Sequence, residues 1–252
     1  MTKQETAGPA SVRTLRRDLE RRFRTGTRSV QIGGRDIELL SPANADGLIS
    51  EDDYVKDERL PYWADLWPSA QILAEEVRTM RLAGQRVLEL GCGLGMVAIA
   101  AALAGADVTA TDYYEDALEF AQLNAMEATG RSISTRMVNW VEMPSDLGRF
   151  DVVLASDVLY EHRYAPLVSN AIATTLVRGG EAIVADPGRI ALDAFLEECR
   201  ERGLTSTPDP RPYVNGEIRQ TVTLTLTAMS GLRGVSCFVA GPMGPLGRRG
   251  RM

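Results

Sequence analysis

A glycine-rich turn between a short apolar strand and an alanine-rich helix is the feature that most restricts the fold of this chain. The predicted strand is Val87–Leu90, the turn is Gly91–Gly95 (Gly-Cys-Gly-Leu-Gly), and the predicted helix is Met96–Ala104. Glycine lacks a Cβ and tolerates positive φ, so such a turn lets the backbone approach a ligand closely. The helix that follows directs its N-terminal amides toward the same place. The turn therefore predicts a nucleotide-like cofactor at a strand-to-helix junction.

Apolar strands continue to alternate with helices after this turn. The predicted strands are Asp107–Thr111, Ile133–Val138, Asp151–Ala155 and Glu181–Ala185, and the predicted helices are Glu115–Ala128, Tyr164–Val177 and Ile190–Arg202. This alternation is typical of a parallel sheet covered by helices on both faces. Near the end, Gln220–Ala228 alternates Thr with Val and Leu, which predicts a half-buried antiparallel strand. The predicted fold is α/β, a doubly wound, Rossmann-like, mostly parallel sheet with an antiparallel strand near the C-terminus.

The segments on either side of this region are predicted to be additions to one main domain. Apolar residues recur at helical spacing from Val12 to Phe23, which predicts an amphipathic helix packed on the body of the protein. The β-prone runs Ser29–Ile32 and Arg35–Leu40 flank a Gly-Gly pair and predict a hairpin. We expect a helix, a hairpin and an acidic loop in residues 1–59, the main domain in 60–229 and a flexible tail in 230–252.

Composition excludes several classes of function. A net charge of −6 and a pI near 5.0 create no general attraction to nucleic acid. The cysteines Cys92, Cys199 and Cys237 lack metal-ligand spacing, and this pattern favours a reducing compartment without a bound metal. No apolar run reaches the roughly 18 residues that span a bilayer, and the N-terminus lacks the apolar core of a secretory signal. We expect a cytoplasmic enzyme that binds neither membrane nor nucleic acid; its oligomeric state is not predicted.

The acidic residues around the turn bear on which cofactor binds. Asp112 closes the second strand about twenty residues further on, where a carboxylate can bind ribose hydroxyls. Read from Gly93, the turn also satisfies a relaxed dinucleotide pattern ending at Ala98. Glu89 argues against a dinucleotide, because an extra anion is unfavourable beside a pyrophosphate. The α-ammonium and sulfonium of S-adenosylmethionine suit this carboxylate better, and a nicotinamide-dependent oxidoreductase stays as an alternative.

Several segments resemble a known enzyme class. Glu89–Gly95 resembles motif I of the class I S-adenosylmethionine-dependent methyltransferases. Pro61–Pro68 (Pro-Tyr-Trp-Ala-Asp-Leu-Trp-Pro), Asn139-Trp140 and Asp157–Tyr160 (Asp-Val-Leu-Tyr) are similar to segments of the seven-strand protein-lysine methyltransferases. Within that group, the first of these segments and Asp186–Arg189 (Asp-Pro-Gly-Arg) resemble the family that includes the lysine methyltransferase of the electron transfer flavoprotein β subunit. The resemblance covers roughly residues 60 to 190 and implies methylation of lysine in a protein substrate.

The resemblance also implies which residues bind the cofactor. They are Trp67, Glu89, Gly91, Cys92, Gly93, Asp112, Trp140 and Ser156. Among them, Asp112 is expected to bind the ribose, Trp140 to pack beside the adenine and Ser156 to lie next to the transferable methyl group. Asn139 departs from the family pattern, in which an aspartate often precedes this tryptophan. Its side-chain carbonyl can still accept a bond from the adenine amino group.

Asp157 and Tyr160 are the predicted catalytic residues. They follow a predicted strand and therefore lie at the carboxyl edge of the sheet, where open α/β folds bind their ligands. Lysine has a free pKa of about 10.4, and only its neutral amine attacks. We predict that Asp157 accepts a hydrogen bond from this amine and that the Tyr160 hydroxyl fixes its approach. A helix-capping role for the aspartate, beside a packing tyrosine, is the structural alternative.

Two other functions stay open at this point. One is methylation of a small amine, which a deep closed pocket would favour, whereas an open mouth would favour a protein. The other is a non-catalytic scaffold that binds the cofactor and would tolerate loss of Asp157 and Tyr160.

Overall fold

The computed structural model describes residues 9–44, 48, 61–215, 217–228 and 235–239. It begins with helix α1 (Pro9–Arg22), followed by the antiparallel hairpin of β1 (Thr25–Ile32) and β2 (Arg35–Pro42). The Gly-Gly pair between the strands has φ values of 57° and 72°, as a primed turn requires. The predicted helix and hairpin are therefore confirmed. The acidic residues 51–58 lie outside the described residues.

The main body alternates helices with strands. Its elements are α2 (Pro68–Thr79), β3 (Arg86–Leu90), α3 (Met96–Leu103), β4 (Asp107–Asp112), α4 (Glu115–Thr129), β5 (Ser134–Met137), β6 (Phe150–Ser156), α5 (Tyr164–Thr175), β7 (Leu176–Asp186), α6 (Leu192–Glu201), β8 (Leu204–Asn215), β9 (Glu217–Ala228) and β10 (Val235–Val239). Strands β5, β4, β3, β6 and β7 lie side by side in that order and all run parallel. Short 3₁₀ helices occupy Tyr62–Ala64 and Trp140–Glu142. The predicted α/β fold with a mostly parallel sheet is confirmed.

Two apolar layers bury the two faces of this sheet, because neighbouring strand residues point to opposite sides. On one face, Val87 packs in a core with residues of α2, α3, α4 and the hairpin. On the other face, Leu88 packs with residues of α5 and α6, including Phe195. Helix α1 lies outside α4, where Leu19 is fully buried beside Phe120. The sheet is therefore doubly wound, as predicted.

The close contact between α3 and α4 depends on a glycine at the start of α3. Gly95 is the N-cap of α3 and has a φ of 83°. A Cβ added to it would lie 2.9 Å from the Cα of Ala121 in α4. Only glycine meets both conditions, because other residues are strained at positive φ and no room exists for a side chain. The last glycine of the turn is thus required by packing.

The C-terminal part of the sheet contains antiparallel pairs of strands. The predicted strand Gln220–Ala228 lies within β9, which pairs antiparallel with β8 and with β10. Strand β10 also pairs parallel with β7 and lies between β7 and β9. Val235–Val239, within the segment predicted to be a flexible tail, hydrogen-bonds along the edge of β7, whereas the division into domain and tail stays a prediction. Residues 229–234 and 240–252 lie outside the described residues.

No helix in the described ranges is both long and apolar enough to cross a membrane. Among the same residues, no group of His, Cys, Asp and Glu side chains is arranged to hold a metal ion. Cys92 and Cys199 are buried free thiols.

Candidate active site

A cleft opens at the carboxyl ends of β3, β4 and β6, where the chain leaves the sheet. The space inside it, including open solvent at its mouth, is about 1020 Å³. The ten site residues predicted from the sequence all line this cleft: Trp67, Glu89, Gly91, Cys92, Gly93, Asp112, Trp140, Ser156, Asp157 and Tyr160. The fold thus brings together residues that lie far apart along the chain.

The glycine turn forms a tight cradle on one side of the cleft. Gly91 and Gly93 have φ values of 69° and 49°. A Cβ on Gly91 would lie 3.1 Å from Cγ1 of Val158 and 3.5 Å from Cη2 of Trp140. A Cβ on Gly93 would lie 3.0 Å from the carbonyl oxygen of Trp63. The backbone of the turn therefore faces the cleft without side chains at Gly91 and Gly93, so a ligand can approach it closely.

Asp112 at the end of β4 holds this cradle in place. Its Oδ2 accepts a hydrogen bond from the Gly93 amide at 3.0 Å, and its Oδ1 accepts one from the Tyr114 amide at 3.1 Å. The Tyr113 amide faces the same carboxylate, and burial raises the pKa of Asp112. A carboxylate offers about four lone-pair positions, so capacity remains for a ligand hydroxyl. Asp112 can thus support the turn and bind a ribose at the same time.

Glu89 is a buried carboxylate with an unpaired oxygen. Its side chain lies near the end of β3, the residue is 2% exposed, and Oε2 has no hydrogen-bond partner among the described residues. Burial raises the pKa of Glu89 to about 8, the nearby Asp112 adds to this rise, and the Ala98 amide opposes it. A buried carboxylate without a partner is unfavourable. A ligand that places a positive charge here would relieve that cost.

Aromatic rings form a further wall of the cleft, which begins beside the glycine cradle at Trp140. Trp140 begins a 3₁₀ helix and meets Tyr164 edge to face, with ring centroids 5.8 Å apart. Tyr164 in turn lies 4.6 Å from Tyr160, whose ring is 5.2 Å from that of Tyr62. Such edge-to-face and tilted pairs hold rings in defined positions. The wall therefore runs without a break from Trp140 to Tyr62.

Asn139 has a structural role that the amino-acid sequence did not reveal. Its side-chain oxygen accepts a hydrogen bond from the Val141 amide at 3.1 Å, which caps the 3₁₀ helix that carries Trp140. An adenine amino group could use only the lone pair of this oxygen that remains.

Asp157 is fixed from two directions. Its Oδ1 accepts hydrogen bonds from Nη2 and Nε of Arg189 at 2.7 and 3.2 Å, and its Oδ2 accepts one from the Ser69 amide at 3.1 Å. Burial raises the pKa of Asp157, whereas Arg189 and Ser69 oppose that rise. The helix that follows, α5, is not capped by this side chain. Asp157 instead binds the N-terminus of α2, where its negative charge is favourable.

Arg189 is the residue near the site that sequence reasoning missed. It lies in the turn after β7, and its guanidinium carbon is 5.0 Å from the ring centroid of Trp67. The only signal in the sequence was its place in the Asp186–Arg189 motif. Its two hydrogen bonds to Oδ1 of Asp157 depend on strand order, because β7 must lie next to β6.

Comparison with known proteins agrees with this geometry. Residues 61–193, just over half of the chain, match the model of a family described as lysine methyltransferase. The chain is 35% identical over 159 residues to protein N-lysine methyltransferase METTL21A of Danio rerio, covering 58% of this chain and 70% of that protein. It is 31% identical over 141 residues to the electron transfer flavoprotein β subunit lysine methyltransferase of Danio rerio, covering 51% of each chain. The chain thus spans about half the length of this second relative.

Other matches are to methyltransferases with different names. The chain is 38% identical over 112 residues to the ubiquinone biosynthesis O-methyltransferase of Azotobacter vinelandii, covering 44% of this chain and 47% of that protein. The crystal structure of magnesium protoporphyrin IX methyltransferase from Synechocystis, with bound S-adenosylmethionine, superposes with a TM-score of 0.53 at 20% identity. That alignment covers 72% of this chain and 97% of the other, and it shows a shared fold.

Proposed function

The chain belongs to the lysine methyltransferase family, and on that basis we propose that it transfers a methyl group from S-adenosylmethionine to lysine side chains of a protein. The observation that carries the proposal is one cleft with two chemically different ends. The glycine cradle, with Glu89 and Asp112, forms the cofactor end. Asp157 and Tyr160, with Tyr62 and Tyr164 of the aromatic wall, form the acceptor end.

The residues of the cofactor end fit S-adenosylmethionine, the cofactor of this enzyme class. The unpaired oxygen of Glu89 suits its α-ammonium, and Asp112 has capacity left for its ribose hydroxyls. Trp140 packs against the cradle at Gly91, where it can lie beside an adenine. When bound, the cofactor would supply an electrophilic methyl group on a sulfonium. Its sulfur would keep the C–S electron pair, and the neutral amine held by Asp157 and Tyr160 would form the N–C bond. Ser156, at the end of β6, lines the cleft between the two ends.

The acceptor end must hold a neutral amine. Deprotonating lysine at pH 7.5 costs about 4 kcal/mol, and enclosure beside a positive charge lowers that cost. Asp157 has one position left on Oδ2 after its bond to the Ser69 amide, so it can accept a hydrogen bond from the amine. Burial raises the pKa of Tyr160 well above its usual range, so its hydroxyl stays protonated. Tyr160 is therefore proposed to orient the amine rather than remove its proton.

The mouth of the cleft favours a protein over a small amine. Tyr62 and Val141 line the cleft and yet remain 38% and 63% exposed. Large apolar side chains exposed at the rim of a site are typical of surfaces that contact a macromolecule. The alternative of a nicotinamide-dependent oxidoreductase has no support from the family match.

Radiolabelled S-adenosylmethionine, incubated with the purified chain in a cell extract, tests this proposal. We expect labelled protein bands that yield methyllysine on mass spectrometry. The Asp157→Asn variant should label no band, whereas Asp146→Asn, which changes a surface ion pair with Arg136, should label the same bands as the wild type. Label only in small molecules would refute the protein substrate. A calorimetric titration that detects NAD but not S-adenosylhomocysteine would refute methyl transfer.

A further inference from the structure

We propose that Arg189 is a positioning residue that shapes the acceptor end of the cleft by contacting both Asp157 and Trp67 from outside the cleft. This inference rests on the proposed methyl transfer, because it concerns the group assigned to the acceptor amine. Arg189 does not line the cleft itself, and its side chain is 24% exposed. Any effect it has on the reaction must therefore pass through its neighbours.

The guanidinium group of Arg189 contacts residues from two walls of the cleft. Its Nε and Nη2 both donate to Oδ1 of Asp157, while the Ser69 amide donates to Oδ2. Together these bonds fix the position and the rotation of that carboxylate. The same planar group lies over the ring of Trp67, which belongs to a different segment of the chain. Arginine can do both because its fork suits a carboxylate while its face suits an aromatic ring. A lysine at this position would keep the charge and lose the paired geometry.

The contact between Arg189 and Trp67 is connected to the mouth of the cleft through Tyr62. The indole Nε1 of Trp67 donates a hydrogen bond to the carbonyl oxygen of Tyr62 at 2.9 Å. The ring of Tyr62 then packs edge to face on Tyr160, with centroids 5.2 Å apart. Arg189 is therefore linked to the predicted catalytic tyrosine through Trp67 and Tyr62, as well as to the predicted catalytic aspartate directly.

A second carboxylate fixes the backbone of Arg189. Oδ1 of the fully buried Asp186 accepts hydrogen bonds from the amides of Gly188 and Arg189 at 2.8 and 2.6 Å. Its Oδ2 has no hydrogen-bond partner in the described part of the chain and lies 4.0 Å from Nε of Arg189. Burial raises the pKa of Asp186 to about 6, and the charge of Asp157 adds to the rise. The guanidinium of Arg189 thus lies close to two buried carboxylates, those of Asp157 and Asp186.

Removing the guanidinium should change the protonation of Asp157. The charged groups that face this carboxylate are Arg189 and Asp186, and α2 contributes the Ser69 amide. Arg189 opposes the rise in the pKa of Asp157 that burial causes, so its loss raises that pKa further. A protonated carboxyl group is a poorer acceptor for an amine hydrogen bond. The acidic limb of the activity profile should therefore move to higher pH.

The test compares Arg189→Met with Arg189→Lys and with the matched control Arg202→Met. Arg202 has a similar side-chain exposure of 28% and its own carboxylate partner, Glu198, but it follows the end of α6, and neither residue lines the cleft. The first measurement is a ¹³C NMR titration of carboxyl-labelled Asp, with the Asp157 signal assigned by Asp157→Asn. The second is kcat and KM against pH, with whichever acceptor the wild-type chain labels.

For Arg189→Met, we expect the Asp157 titration and the acidic limb of kcat to move up together by about one to three pH units. A cooperative chemical unfolding transition shows that the variant is folded. Arg202→Met should match the wild type throughout. Arg189→Lys should keep the acidic limb near its wild-type position and lower kcat, because the charge remains while the planar pair of N–H donors on Oδ1 of Asp157 is lost.

The inference would be overturned if the Arg189→Met variant kept the wild-type kcat and the wild-type position of the acidic limb of its pH profile. If that variant does not fold, Arg189→Lys decides, because wild-type kcat in the lysine variant would show that Arg189 has only a structural role. The proposed function fails separately, if the labelled product is not methyllysine. The NMR titration needs no acceptor, so it tests the link between Arg189 and Asp157 in either case.

Discussion

Replacing Glu89 with Gln should remove the pH dependence of two properties, because this carboxyl group is buried and its Oε2 has no hydrogen-bond partner in the described part of the chain. Burial raises its pKa from 4.5 to about 8 in the folded chain without ligand. Between these values the folded chain holds a proton that the unfolded chain has released, so stability falls as pH rises. A difference of this size corresponds to at most about 5 kcal/mol, at about 1.4 kcal/mol per pH unit. Glutamine carries no such charge, so Glu89→Gln should lose this slope and be more stable than the wild type above pH 8.

Ligand affinity should change in the opposite direction. Binding of a cationic amine requires Glu89 to ionise, so wild-type affinity for S-adenosylhomocysteine should rise by up to about tenfold per pH unit below pH 8 and then level off. The Gln variant should bind about 1.5–3 kcal/mol more weakly at pH 8, as expected for a lost bond to a charged group. Its affinity should not follow this pH dependence.

Calorimetry in two buffers of different ionisation enthalpy measures both the affinity and the protons released. Chemical unfolding at pH 5, 7 and 9 measures the stability of the free chain. Glu197→Gln is the control, because Glu197 is an exposed residue of α6 whose partner is Arg200. Wild-type binding without proton release, together with equal affinity in Glu89→Gln, would refute the assignment of this carboxylate to the ligand ammonium.

Three further substitutions test other parts of the site. Asp112→Ala should weaken S-adenosylhomocysteine binding by about 1.5–3 kcal/mol, measured by calorimetry, and unchanged affinity would place the ribose elsewhere. Gly95→Ala should lower the free energy of unfolding by about 2–5 kcal/mol, from positive φ and overpacking on Ala121. Gly130→Ala is its control, with a φ of 70° and open space around the added Cβ, and equal losses in the two variants would contradict the packing argument. Asp157→Asn should bind S-adenosylhomocysteine normally and lose turnover in the labelling assay, and full turnover would remove the role proposed for Asp157.

The sequence alone was sufficient for features that depend on neighbouring residues. The alternation of apolar strands and helices predicted the parallel sheet, because each element must bury its own apolar face. The positions of Gly91, Gly93 and Asp112 could also be predicted. They follow adjacent parallel strands, and the carboxyl ends of such strands meet at one edge of the sheet.

Only the tertiary structure decided which side chains are partners across the fold. Arg189 binds Asp157 because β7 lies next to β6, and neither residue reveals the other in the sequence. Asp157 likewise meets the N-terminus of α2 at Ser69, far away along the chain. Strand β10 enters the sheet beside β7, although its surrounding sequence is typical of a tail. Local patterns specify elements and their ends, whereas strand order and packing determine which ends come together.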